Sequence, residues 1–185
     1  MSNALDHVTD GDCDILCSRE PMVLPEDWSF HACLDDSLVV ICGAANPLAG
    51  RTKVPLAELG KQRWLLTRTG SVARRRFEAI AEQGHWPIEL RSGVITHTPT
   101  LTLQMITAGG YVTLIPRSVA LPWMQAGQVV ELPCEASLTL PRLGILLRER
   151  SANRATMMFA AELVAHFADS SEAAGENIAS VPGAL

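Results

Sequence analysis

Along most of this chain, short apolar runs of strand character are separated by stretches with the spacing of helices. This switching between the two periods constrains the fold more than any other feature of the sequence. The strongest run is Ser37-Leu38-Val39-Val40-Ile41-Cys42, β-branched and continuous, and expected to be buried on both faces. Asp14-Ile15-Leu16-Cys17 precedes it, with a loop containing Pro21 and Pro25 between them. Further strands are predicted at 63–67, 88–92, 111–115, 129–132 and 143–147. A turn of helix is predicted at 54–59. A longer helix follows Ser71, with Val72, Phe77, Ile80 and Ala81 on one side and Gly84 as its C-cap. Thr98-Pro99-Thr100 opens another, with Leu101, Met105 and Ala108 as its apolar face and Gly109-Gly110 as its stop. A short helix at 117–125 is expected to break near Pro122, and Ser151 to cap a last helix with Ala155, Met158, Phe159 and Leu163 facing inward. The alternation predicts an α/β fold with largely parallel sheets, in which ligands sit at the carboxyl ends of strands.

Two strand-to-helix junctions meet that description. They are Thr67-Arg68-Thr69-Gly70-Ser71 and Thr96-His97-Thr98-Pro99-Thr100. Thr67, Thr69, Gly70, Ser71, Thr96, His97, Thr98 and Thr100 are therefore candidate ligand contacts. Hydroxyls, unpaired backbone N–H groups and the positive end of a helix dipole converge at such a place, which suits a carboxylate, sulfate or phosphate. The same hydroxyls also serve as ordinary N-caps whether or not a ligand binds, so both readings stay open. A third candidate is Ser18-Arg19-Glu20, expected just past the first strand, where Arg19 holds a ligand carboxylate or pairs with Glu20.

Composition removes several function classes. A net charge of -5 and a pI near 5.5 argue against a nucleic-acid surface within these 185 residues. Arg74-Arg75-Arg76 is too short for a footprint and reads as a solvated helix face. The five cysteines are odd in number and include no Cys-x-x-Cys pair. They read as buried free thiols in a reducing cytoplasm, with no metal and no cofactor. The start of the chain has no basic region followed by an apolar run, and no apolar stretch is long enough to span a bilayer, so the chain reads as soluble and cytoplasmic without a membrane partner. The nucleophile elbow, zinc-hydrolase, phosphate-loop and dinucleotide signatures are all missing, so no catalytic residue is assigned and an enzyme is not expected.

Several segments, in their order, carry a family resemblance. Asp10-Gly11-Asp12-Cys13-Asp14-Ile15 leads into the first strand; Leu38-Val39-Val40-Ile41 is followed by Asn46-Pro47-Leu48-Ala49. Trp64-Leu65-Leu66 leads to Gly70-Ser71, and Ala108-Gly109-Gly110-Tyr111-Val112-Thr113-Leu114-Ile115-Pro116 closes the set. Together they resemble the effector-binding domain of LysR-type transcriptional regulators, from about Leu5 to Phe167. The resemblance implies a periplasmic-binding-protein-like fold of type 2, two α/β lobes joined by two crossover strands, here without the first strand and helix of lobe I. It places lobe I at 5–46 and 138–168 and lobe II at 47–137, with a disordered tail at 169–185 suggested by composition. It implies effector contacts at Ser18 and Arg19 in lobe I and at the two junctions in lobe II. The implied partners are a small anionic metabolite and a second copy, a homodimer that becomes a tetramer in the full-length protein. DNA is reached only through a helix-turn-helix domain absent from this chain. A solute-binding protein of a transport system and an enzyme on the same scaffold are the alternatives.

Overall fold

The computed structural model describes residues 13–87, 93–96, 98–148 and 153–179, with side chains as far as Phe167. The strand predicted at 88–92, the Ser151 cap and the candidate His97 lie outside the described residues. The chain forms two compact units, Asp36–Leu140 and, discontinuously, Met1–Asp35 with Pro141–Leu185. The sequence reading sets these divisions at 46/47 and 137/138, at polar breaks; the units divide instead inside two long strands.

The Asp36–Leu140 unit is built on β2 (Trp28–Gly43), whose second half lies here. Next come α1 (Leu56–Leu59), β3 (Arg63–Leu66) and α2 (Val72–Gln83). β4 (Val94–Ile95), α3 (Pro99–Gly109), β5 (Tyr111–Pro116), α4 (Arg117–Gln125) and β6 (Val129–Glu131) follow. The strands pair in the order β6-β2-β5-β3-β4. β3 is parallel to both β5 and β4, whereas β2 is antiparallel to β5 and to β6. The expectation of largely parallel sheets is thus corrected to a mixed sheet, because β2 reaches this unit as a long strand rather than through a βα unit.

Side chains along β2 alternate between two cores, as a pleated strand requires. Leu38, Val40 and Cys42 join Trp64, Leu66, Val112 and Leu114 beneath Phe77, Ile80 and Ala81 of α2. Val39 and Ile41 join Leu65, Ile115, Ile106 of α3 and Ala120 of α4 on the other face. Burial on both faces is what the continuous apolar run predicted. Trp64, Phe77 and Trp86 form an aromatic cluster with centroids 4.9 to 5.9 Å apart. Both indole N–H groups are satisfied by α1, Trp64 donating to the Leu59 carbonyl at 2.9 Å and Trp86 to that of Leu56 at 3.0 Å. Gly84 is the C-cap of α2, and a Cβ there would strike the Trp86 indole, so close approach rather than a left-handed turn requires glycine.

Two expectations on helices change here. α4 runs unbroken through Pro122, and its N-terminus is capped from a distance. The buried Asp36 carboxylate accepts from Ser118 N at 3.0 Å, Ser118 Oγ at 2.8 Å and Ser37 N at 2.9 Å. In α3 the buried positions are Thr102 and Ile106, while Leu101 is exposed, so the helix is rotated from the predicted phase.

The second unit holds β1 (Ile15–Arg19), the first half of β2, β7 (Leu138–Arg148) from Pro141 onward, and α5 (Arg154–Ala179). β1 is antiparallel to β7, with Ile15 opposite Leu147 and Arg19 opposite Leu143, and β7 lies between β1 and β2. Ile145 and Leu147 pack with Ile15, Cys33 and the inward residues Ala160, Leu163 and Val164 of α5. Ala155, Met158 and Phe159, expected to face inward, are instead exposed. The correction is one of phase: Ala160, the smallest apolar choice, is what seats the helix on the sheet. α5 also takes in 169–179, which composition marked as loose tail; Ala and Glu, frequent there, are strong helix formers.

Replacing Phe77 with alanine empties the centre of the aromatic cluster. Urea unfolding of Phe77→Ala should show a loss of about 3–5 kcal/mol, and a loss below about 1 kcal/mol would mean that the cluster does not bear on stability.

Candidate functional site

β3 and β4 run parallel with Leu66 opposite Ile95, so Thr67 and Thr96 follow at the carboxyl ends of neighbouring strands. The Thr96 N–H donates to the Leu66 carbonyl at 3.4 Å, which ties the two junctions together. The structure therefore brings Thr67, Thr69, Gly70 and Ser71 to the start of α2, beside Thr96, Thr98 and Thr100 at the start of α3. Neither helix has an acidic residue in its first turn to neutralise its dipole end.

The two junctions use their hydroxyls differently. Ser71 is a true N-cap: its Oγ accepts from Arg74 N at 3.1 Å. Its oxygen also lies 3.0 Å from Thr67 Oγ1, within a hydroxyl pair. Two hydroxyls bring two protons, and their mutual bond uses one, so the pair retains one O–H for a further acceptor. Gly70 takes φ +82 with open space where a Cβ would stand, so glycine here serves the turn. Thr98 holds the N-cap position of α3 but makes no side-chain cap, and its expected capping role is corrected. Its N–H instead donates to Thr96 Oγ1 at 3.2 Å, and its carbonyl accepts from Thr102 N and Oγ1. Pro99 has no N–H and so leaves Thr98 one donor fewer to cap. Thr69 and Thr100 are exposed.

Only part of the arginine run is the solvated face the sequence suggested, with Arg75 exposed and Arg76 half-buried. Arg74 is buried and ion-paired with Glu78 at 2.7 Å. Arg75 donates to the Gly70 carbonyl at 2.6 Å, bracing the first junction. Arg76 donates to the carbonyls of Ala136 and Glu135. Helical spacing could have revealed Arg74, which stands three residues before Phe77 on the same buried side.

Ser18 and Arg19 belong to the other unit and lie inside β1, not past it. Ser18 Oγ donates to the Arg19 carbonyl at 3.0 Å, and Arg19 Nη1 to the Pro141 carbonyl at 2.9 Å. Glu20 does not pair with Arg19 as one reading had it; Arg142 takes it in a two-point ion pair at 3.0 and 3.2 Å. A shallow depression of about 300 Å3 in this unit is lined by Ala32, Cys33, Leu34, Asp35 and Arg142, none of them a sequence candidate.

None of the five cysteines is in a disulfide, but only Cys42 is fully buried, and Cys17 is exposed, which corrects the expectation of buried thiols. Burial pushes the Cys42 thiol up to about 11 and also raises Cys134. Cys33 is raised by burial and then by the neighbouring Cys17. Among the described residues no three His, Cys, Asp or Glu side chains gather as a metal site, and no helix is long and apolar enough to cross a membrane.

A family model, the LysR substrate binding domain, matches residues 1–168. No curated protein matches the chain. Among solved structures, the regulatory domain of CcmR from Synechocystis PCC6803, in complex with 2-PG, aligns with TM-score 0.64 at 18% identity, over 88% of this chain and 77% of that one. The effector domain of AmpR from Pseudomonas aeruginosa aligns with TM-score 0.61 at 16% identity, over 90% and 78%. An OxyR cysteine mutant from Corynebacterium glutamicum aligns with TM-score 0.61 at 20% identity over 98% of this chain, which spans only 57% of the OxyR chain. These likenesses are in fold.

The unequal roles of the two cap positions are measurable. Ser71→Ala should lower unfolding free energy by about 1 kcal/mol, whereas Thr98→Ala should stay within about 0.5 kcal/mol of the parent. Equal losses in chemical denaturation would contradict the hydrogen bonding described.

Proposed function

The chain belongs to the family of LysR substrate-binding domains, effector-sensing domains with a periplasmic-binding-protein-like fold, and from that premise we propose that it binds a small organic or inorganic anion at the paired junctions of β3–α2 and β4–α3. One observation carries the reading. Two helix N-termini without acidic first turns start from adjacent parallel strands, with Thr67, Ser71 and Thr96 between them. Thr67, Thr69, Gly70, Ser71, Thr96, Thr98 and Thr100 are the proposed contacts, with His97 beside them in sequence; Ser18 and Arg19 are proposed separately, as contacts within the unit that holds β1. The two compact units stand as the two lobes of the fold.

The chain binds without turning its ligand over. Its effect is allosteric: a ligand with unequal affinity for two arrangements shifts their populations, and a DNA-binding domain elsewhere in the parent protein reads the shift. The domain works in the cytoplasm as a homodimer, a tetramer in the whole regulator. The CcmR domain was solved with 2-PG, so that compound belongs among the first anions tried.

A thermal-shift panel of carboxylates, aromatic acids, amino acids, inorganic anions and 2-PG tests the reading. A true ligand at about 100 times its dissociation constant should add about 2.7 kcal/mol of stability. With that ligand in hand, Thr69→Ala and Thr100→Ala should each weaken binding roughly tenfold without loss of stability, since each deletes one hydrogen bond to a charged group. Unchanged affinity in both variants would move the site away from these junctions.

A further inference from the structure

The chain leaves β3 and β4 toward opposite faces of the sheet. α2 packs through Phe77 and Ile80 on the core that holds Leu66, and α3 through Ile106 on the core that holds Leu65. Adjacent parallel strands whose helices part in this way leave a crevice at their carboxyl ends. The side chains that flank the junction hydroxyls there are apolar. Val72 follows Ser71, Ile95 precedes Thr96, and Leu101 follows Thr100. These three are 39%, 48% and 51% exposed. One exposed Val or Leu needs no explanation. Here each of three branched side chains left in water is the chain neighbour of a candidate donor.

Charge is scarce in the same two segments. From Leu66 to Phe77 there is no Asp or Glu, and from Gly93 to Gly110 there is no Asp, Glu, Lys or Arg. Arg74 pairs with Glu78, and Arg75 and Arg76 donate to backbone carbonyls. Arg68 differs from them. It is exposed, and its side chain makes no hydrogen bond or ion pair among the described residues. Its carbonyl accepts from Ser71 N at 3.3 Å, so its backbone is held within the turn that starts α2.

Taking the paired junctions proposed above as the site, we infer that its ligand is a monocarboxylate with a compact apolar body, a branched or aromatic acid, and that Arg68 is the cation that meets its carboxylate. A guanidinium offers a fork of donors that matches the two oxygens of a carboxylate. The Thr67–Ser71 pair adds its one remaining O–H. One cation answers one negative charge, and a dianion would bring a second charge for which the described junction residues hold no further arginine or lysine. The apolar body accounts for Val72, Ile95 and Leu101. Covering them removes apolar surface from water on both partners, whereas an inorganic anion would leave them wet.

The test uses the whole 185-residue chain and dissociation constants from NMR titration. The probes are acetate, isobutyrate, isovalerate and benzoate, set against phosphate, sulfate and 2-PG. Affinity should rise along the carboxylates by about fourfold for each methylene that is buried, and each of the three other anions should bind more weakly than isovalerate. Arg68→Gln should weaken every carboxylate roughly tenfold, the loss of one charged hydrogen-bonding partner, and leave the dependence on carbon number unchanged. Ile95→Thr with Leu101→Gln, both at exposed positions, should flatten that dependence and leave acetate unchanged. Phosphate or 2-PG binding more tightly than isovalerate, with sensitivity to Thr69→Ala, overturns this inference and leaves the junction site standing. A carbon-number dependence unmoved by the Ile95 and Leu101 changes, or carboxylate affinity unmoved by Arg68→Gln, also overturns it. Silence to every probe overturns both the inference and the reading beneath it.

Discussion

The double burial of β2 is the constraint from which the Asp36–Leu140 unit is built. From Leu38 to Cys42 every side chain is buried, and successive residues enter different cores. A register slip of one residue would exchange the two sets, so β2 has one acceptable position. Both its edges are used at Cys42, which lies opposite Val112 of β5 and Val130 of β6. β5 then fixes β3 through the Tyr111, Val112 and Thr113 pairings, and β3 fixes β4. The candidate site sits at the far end of that chain of pairings. Its place is set by a strand that contributes nothing to its chemistry.

What the site offers is donors. Ser71 spends its oxygen on the helix and, with Thr67, retains a single O–H; Thr96 spends an acceptor on Thr98 N. Two of the neighbouring cations are engaged within the protein. Arg74 turns inward to Glu78, and Arg75 is tied to the Gly70 carbonyl. The anion recognition proposed here, by backbone N–H groups and hydroxyls, would be directional and modest in charge.

The sequence made the alternation of elements, the two junctions and the two-faced burial of β2 legible, because each leaves a local mark: period, caps and an unbroken apolar run. The sign of strand pairing leaves none. β2 reads the same whether its neighbour is parallel or antiparallel, and the mixed sheet follows from chain path. The unit divisions were hidden for a similar reason. They fall at Asp35–Asp36 and Leu140–Pro141, inside β2 and β7, where no glycine or loop announces them. Helix phase was misread where apolar residues surround the axis. Met157, Met158 and Phe159 give α5 more candidates for an inward face than it can bury, and the choice went to Ala160. The junction residues were found by their hydroxyls, but only geometry separates Ser71, which caps, from Thr98, which does not.

Asp36 shows how far a long-range contact can override local chemistry. Pro116 occupies the N-cap position of α4 and offers no side-chain acceptor, while Pro122 withholds an N–H further along. By local rules this helix should be short and frayed. The Asp36 carboxylate supplies the missing cap from β2, eighty-two residues earlier, through Ser118 N and Oγ. A buried carboxylate is costly unless its oxygens are hydrogen-bonded, and here a third donor, Ser37 N, completes the set. The negative charge also lies at the helix's positive end. The contact therefore settles two unfavourable features with one arrangement, a bare helix start and a buried anion. It can form only once β2 and β5 are in register, because Leu38 opposite Pro116 is the pair that brings Asp36 to Ser118. Helix α4 is in this sense a product of the sheet, which is why its unbroken run through Pro122 could not be read from residues 117–125 alone.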